Sequence, residues 1–270
     1  MTLTPLLIDC VPLPSGSVET WTLNDPASRN ALSEAMVDAL LAACERAAID
    51  AHLRGVVLRG AGGHFCAGGS LGGFAKTIGQ PLAVGEADPL VPLNRRFGAL
   101  LQALCALPQW LIVAVEGAAM GGGFGLVCCA DHVLAHTSAQ FATPEVTLGI
   151  VPAQIAPFVV RRLGYAAARR CLLTGERGDA ATAQRAGLVD EVVAGDMEAA
   201  VQAAIARHAA AAPQAVAATK RLLLAQFETP LPALQDDAAV AFAKALRGPE
   251  APQGLAAFAA RKAPPWSANS

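Results

Sequence analysis

The sequence predicts an α/β fold followed by a helical segment. Short apolar runs of strand length end at glycine or charge, an amphipathic helical stripe lies between two of them, and from Asp179 onward the pattern is mostly alanine-rich and helical. With 270 residues, 54% of them hydrophobic and 16% charged, the chain can form one large core with an appendage. The expected division is an α/β core carrying the site over 1–195 and a C-terminal helical part over 196–270.

Along the core, Val18 to Leu23 alternates apolar and polar residues like a half-buried strand, and Asn24-Asp25-Pro26 breaks it. Ser33 is placed to cap a helix whose stripe is Met36, Val37, Leu40, Leu41 and Cys44. Val56-Val57-Leu58 and Leu111 to Val115 read as buried strands, and Asp131 to Ala135 as another. Ala75 to Pro92 is rich in Gly, Pro and acidic residues and reads as a mobile surface loop beside the site, with room for helical fragments. Asp179 caps an alanine-rich turn ended by Gly187, Val189 to Val193 forms a brief strand, and helices continue to Lys262.

Several function classes lose support from composition. The formal net charge is -2 with scattered basic residues, so no basic stripe predicts nucleic-acid binding. The longest uncharged apolar stretch, Ala118 to Ala130, falls short of the roughly 18 residues a membrane span needs. Met1 to Cys10 has no basic region leading into an apolar core, so the expectation is a cytoplasmic protein without an export signal. The 7 cysteines are irregularly spaced and suit buried thiols in a reducing compartment. Adjacent Cys128 and Cys129 do not make a metal pair, and His132 and His136 lie too far apart on a strand to share an ion, so no metal is expected.

Two glycine-rich turns follow strands: Phe65-Cys66-Ala67-Gly68-Gly69 after Val56 to Leu58, and Gly121-Gly122-Gly123 after Leu111 to Val115. Backbone without side chains can approach a ligand closely, and a helix starting at Gly122 would add its positive dipole end. Paired N–H donors of this kind suit a negative charge developing on a carbonyl or thioester oxygen.

With these motifs on the page, the sequence resembles the crotonase (enoyl-CoA hydratase/isomerase) superfamily over nearly its whole length. The resemblance rests on Asn24-Asp25-Pro26 through Arg29-Asn30-Ala31-Leu32, Phe65 to Leu71, Glu116 to Gly123, Ala139 to Glu145 with Leu148 to Pro152, and Thr174 to Val189. It implies a spiral of ββα units whose helical C-terminal part makes a homotrimer or a dimer of trimers. It implies an acyl-CoA substrate, with coenzyme A arriving on that substrate and no separate cofactor.

Carried over by position, the resemblance places the oxyanion donors on the N–H groups of Gly69 and Gly122 and the acid/base on Glu145. Substrate contacts are implied for Arg29, Ala67, Gly68, Gly125 and Gln154. Phe258 and Arg261 fall where relatives place residues that reach the CoA of a neighbouring subunit. Hydratases of the family carry two glutamates around the water; here one of those positions is Gly125 and only Glu145 remains. Gly125 is therefore expected to leave a space. Ala153 stands where dehalogenases and dienoyl isomerases of the superfamily carry an aspartate, which removes those reactions.

Gly149 to Val160 looks more like the branched glutaconyl-CoA hydratases of leucine and acyclic-terpene breakdown, whose substrates bear a second carboxylate. The resulting expectation is hydration of an α,β-unsaturated, glutaconyl-type acyl-CoA. The alternatives are a Δ3–Δ2 enoyl-CoA isomerase, which needs only one carboxylate, and a non-catalytic acyl-CoA- or RNA-binding relative. No histidine follows Cys66 within its motif to activate it, so it reads as packing, and Asp131 reads as structural.

Overall fold

The computed structural model describes residues 4–70, 78–82 and 85–267. Its principal sheet has six strands in the order β1 (Leu6–Leu13), β2 (Gly16–Leu23), β3 (Leu53–Gly60), β4 (Trp110–Val115), β6 (His132–His136) and β9 (Glu191–Val193). The β1–β2 pair is antiparallel and every other neighbour pair is parallel. A smaller sheet, β5 (Ala118–Met120), β7 (Gln140–Ala142) and β8 (Gly178–Asp179), stands beyond β4.

The central strands β3 and β4 are buried on both faces, which is why they read as continuous apolar runs. On one face Val56, Leu58, Leu111, Val113 and Val115 join the core under α1 (Glu34–Ile49) and α2 (Leu90–Ala106). On the other, Val57, Trp110, Ile112 and Ala114 pack against Met197, Val201, Ala204 and Ile205 of α6 (Met197–Ala209). The first helix after residue 196 thus completes the core by covering the second face of the sheet.

The predicted helix is α1: Ser33 accepts a hydrogen bond from the Met36 N–H, and Met36, Val37, Leu40 and Cys44 are buried. The apolar stretch after the second glycine-rich turn opens α3 (Gly122–Cys128) at the residue the sequence indicated. Asp179 caps α5 (Ala180–Arg185) by accepting from the Thr182 N–H.

The loop read over Ala75 to Pro92 gives way earlier than expected to α2, which begins at Leu90. Asp88 Oδ1 accepts from the Leu90 N–H at 2.8 Å, and Pro92 falls in the first turn, where its missing N–H leaves no helical bond unmade. Residues 75–77 and 83–84 of that stretch, and Leu71 of the first glycine motif, lie outside the described residues.

After α4 (Ala156–Thr174) and α6, the chain ends in α7 (Pro213–Ala225), α8 (Leu231–Arg247) and α9 (Glu250–Ala259), none of which contains a buried residue. Arg54 of β3 ties this end to the core. It is 4% exposed, and its guanidinium donates to the carbonyls of Ser15, Ala209, Ala211 and Trp266 at 2.9, 3.2, 2.7 and 3.4 Å. No described helix is long and apolar enough to cross a membrane.

Candidate active site

The two glycine-rich turns are joined edge to edge. Cys66 forms a parallel bridge with Ala119: the Cys66 N–H donates to the Ala118 carbonyl at 2.8 Å, and the Met120 N–H to the Cys66 carbonyl at 2.9 Å. Gly68 has φ +96, and a Cβ there would lie 2.8 Å from the Met120 carbonyl oxygen and 3.6 Å from the Gly122 nitrogen. Only glycine satisfies both the dihedral and the approach.

This pairing aims the donors. Leu32 donates to the Gly68 carbonyl and accepts from the Ser70 N–H, so in that parallel bridge the Gly69 N–H is turned away from Leu32. Among the described residues no atom lies within 4 Å of where a Gly69 Cβ would be, so the backbone here is open to a ligand. The Gly122 N–H is at the first position of α3, where helical geometry supplies no acceptor. Neither N–H donates to a backbone acceptor among the described residues.

A support that sequence reading missed is Asn30. It is fully buried with φ 58; its Nδ2 donates to the Ala61 and His64 carbonyls at 2.9 and 2.7 Å, and its Oδ1 accepts from the Asp25 N–H. His64 Nδ1 in turn accepts from the Ala118 N–H at 3.2 Å. Asn30 therefore braces the first glycine turn and His64 links it to the second. The legible signal was an asparagine inside a turn motif, since asparagine tolerates the left-handed region.

Glu145 sits on the short 3-10 turn Pro144–Leu148. Its Oε1 lies 2.8 Å from where a Cβ on Gly121 would be, so glycine at that position, with φ +50, is what admits the carboxylate. Its Oε2 is buried and has no hydrogen-bond partner among the described residues. Burial pushes its pKa up from the ordinary carboxylate range. A carboxyl so placed gives up and takes back a proton nearer neutrality than a solvated one does.

A cavity of about 780 Å³ opens over this arrangement. Ala67, Gly68, Gly69, Gly122, Glu145 and Gln154 line it together, along with Phe97, Asn94, Ile155 and Ala153. Glu34 also lines it, from the exposed first turn of α1.

Four predicted substrate residues, Arg29, Phe258, Arg261 and Gly125, fall elsewhere. Arg29 is exposed with φ 56 and contributes its backbone carbonyl, which accepts from the Ala67 N–H at 2.9 Å. Phe258 is 84% exposed and Arg261 follows α9 with φ 54; neither lines the cavity of its own chain.

Gly125 requires a correction. It does not leave a space: a Cβ there would lie 2.4 Å from Ile155 Cγ2, and Ile155, not Gly125, faces the cavity. A branched apolar side chain occupies the region that a second carboxylate would enter.

The remaining candidates have structural partners. Cys66 is fully buried, and burial pushes its thiol up to about 12, which keeps it unreactive. His132 Nδ1 meets His208 Nε2 at 3.1 Å and its Nε2 meets Glu191 at 3.0 Å, whereas His136 bonds Ser138. Asp131 accepts from the Leu111 N–H and pairs with Lys220.

Comparison with known proteins agrees with this geometry. The family model described as enoyl-CoA hydratase/isomerase matches residues 14–269. The 2,3-dehydroadipyl-CoA hydratase of Escherichia coli K12 is 35% identical over 248 residues, covering 90% of this chain and 92% of that protein. Among solved structures, Pseudomonas aeruginosa AtuE is 45% identical with a TM-score of 0.90, covering 97% of this chain and 99% of that one. An enoyl-CoA hydratase/isomerase from Marinobacter aquaeolei is 41% identical with a TM-score of 0.89, covering 97% and 98%. Two glycine turns aimed at one cavity, a half-buried glutamate beside them and a match over nearly the whole chain place this protein in the enoyl-CoA hydratase/isomerase family.

Proposed function

We propose that the protein is an enoyl-CoA hydratase acting on a 2,3-unsaturated acyl-CoA whose acyl group bears a second carboxylate, of the branched glutaconyl type. The observation that carries the reading is the half-buried Glu145 next to Gly121, whose Oε2 has no partner among the described residues, sharing one cavity with Gly122 and Gly69, whose N–H groups donate to no backbone acceptor among them. The thioester oxygen docks between those two N–H groups. Water adds its oxygen to C3 while Glu145 takes one of its protons, and negative charge moves onto the thioester oxygen. The enolate collapses as the proton passes from Glu145 to C2. Two fixed donors stabilise that oxygen most when its charge is greatest.

The E. coli relative's named substrate, 2,3-dehydroadipyl-CoA, also has an acyl chain ending in a carboxylate, which supports the substrate class. Coenzyme A arrives on the substrate, and the chemistry uses this chain's own groups. In a homotrimer or dimer of trimers, the exposed apolar side chains of α8 and α9, among them Val240, Phe242 and Leu255, gain a cover. Phe258 and Arg261 then serve a neighbour's CoA, and the assembly works in the cytoplasm.

A second reading, Δ3–Δ2 isomerisation, is favoured by one observation: Ile155 closes the region where another carboxylate would help hold water. Glu145 alone suffices to move a proton between C4 and C2. The experiment that separates the two supplies purified protein with 2-enoyl-CoAs and 3-enoyl-CoAs, linear and carboxylated. Loss of the conjugated-thioester absorbance with formation of a 3-hydroxyacyl-CoA is the expected result. Appearance of that absorbance from 3-enoyl-CoA without any hydroxyacyl product contradicts it.

A further inference from the structure

We propose that Asn94, held in place by Gln154, is the residue that recognises the second carboxylate of the acyl group. The inference rests on the carboxylated-substrate reading above and assigns it to a side chain.

Gln154 and Asn94 are joined across the cavity wall: Gln154 Nε2 donates to Asn94 Oδ1 at 2.8 Å. The Gln154 amide is seated by a notch in α2. A Cβ on Gly98 would lie 2.0 Å from Gln154 Oε1, so the absence of a side chain at 98 is what lets the amide lie there. With its oxygen committed to Gln154, Asn94 is left with its NH2 group, which donates to no acceptor among the described residues. The carboxylates of the cavity wall, Glu34 and Glu145, are on other elements.

The spacing fits a dicarboxylic acyl chain. The Phe97 ring lies 3.2 Å from where a Cβ on Gly122 would be, which puts it next to the thioester site. Asn94 is one turn earlier on the same face of α2, about 4.5 Å along the helix axis. In an extended acyl chain built from bonds of about 1.5 Å, a C5 carboxyl lies about 5 Å from the thioester carbon. Asn94 and Phe97 line the same cavity as Gly69, Gly122 and Glu145, so an acyl chain running from the thioester site along α2 brings a C5 carboxylate toward the Asn94 amide. Asn94 is exposed at the cavity mouth, with Leu93, Phe97 and Ile155 lining the wall beside it, and a carboxylate accepting from its amide makes a charge-assisted hydrogen bond.

The test compares wild type with Asn94→Leu, which removes the donor, and Gly98→Ala, which displaces Gln154 while favouring the helix. Turnover is measured on glutaconyl-CoA and crotonyl-CoA, and binding on the saturated pair glutaryl-CoA and butyryl-CoA by calorimetry. Wild type is expected to prefer the dicarboxylic member of each pair. Both variants should lower that preference about tenfold or more, through KM and Kd rather than kcat. Equal losses on both members of a pair, or an unchanged preference in both variants, overturn the assignment. If wild type hydrates neither enoyl thioester, the hydratase reading fails, and the glutaryl-to-butyryl binding ratio still decides for or against Asn94.

Discussion

Glu145 is a side chain held against its solvation. Its folded-state pKa is raised, chiefly by burial, so the folded protein holds the proton more tightly than the unfolded chain does. As pH rises, the unfolded chain ionises first, and stability is lost until the pH has passed the raised folded-state pKa. Glu145→Gln keeps the shape without the charge and is expected to raise Tm at pH 7, an increment that disappears at acid pH; scanning calorimetry at both pH values checks it. The oxyanion donors require a different substitution because they are backbone groups. Gly122→Val places its Cβ 2.8 Å from Leu32 Cδ1 and 3.2 Å from Phe97, obstructing the thioester and moving the turn. Losing one donor is worth on the order of 3 kcal/mol, or about a hundredfold in kcat/KM on a 2-enoyl-CoA. At this scale the two glycine-rich turns were legible as a pattern, whereas Gly69, Gly122 and Glu145 were singled out by the family resemblance. Asn94 and Ile155 left none, since their roles arise from what α2 and α4 bring opposite them.

Elements explain why Gly125 was misread. The helix α3 and the start of α4 interlock there, with Ile155 Cγ2 occupying the volume of any side chain at 125. A missing side chain in a sequence suggests a vacancy only when the neighbouring element is ignored, because interiors close around small residues. Gly125→Glu is therefore expected to destabilise the fold by about 1–3 kcal/mol through overpacking, with an added penalty for a buried carboxylate. Adding Ile155→Ala should recover part of the loss, which urea denaturation of the single and double variants measures. The same limit applies to β1, whose Leu7, Ile8 and Val11 are exposed at the sheet edge and show no alternation to mark a strand. The strands β5, β7 and β8, two or three residues each, are too short for a periodic signal. By contrast α1, β3 and β4 were legible because their burial pattern and their sequence pattern coincide.

Across the whole molecule, Arg54 connects parts far apart in sequence: the Ser15 turn, the end of α6 and the segment after α9. Arg54→Met leaves those carbonyls without a donor in a poorly solvated place, a loss on the order of 3 kcal/mol. Hydrogen exchange should then accelerate in β1–β2 turn, α6 and C-terminal peptides before the central strands. Sequence gave no hint of this bond network, since a lone arginine in an apolar strand reads as surface. The helices after residue 196 were legible as helices, but that α6 covers the sheet while α8 and α9 bury none of their residues follows from packing alone.

The central claim is that Glu145 is the proton carrier of a hydration assisted by Gly69 and Gly122, and one measurement addresses it directly. Wild type and Glu145→Gln are incubated with glutaconyl-CoA in deuterated water, following the conjugated-thioester absorbance and the mass of the product. Wild type is predicted to give a 3-hydroxyacyl-CoA carrying one carbon-bound deuterium, at C2, while the variant binds the thioester but turns over about a hundredfold or more slowly. A variant that hydrates within twofold of wild type, or a product without deuterium at C2, would contradict it.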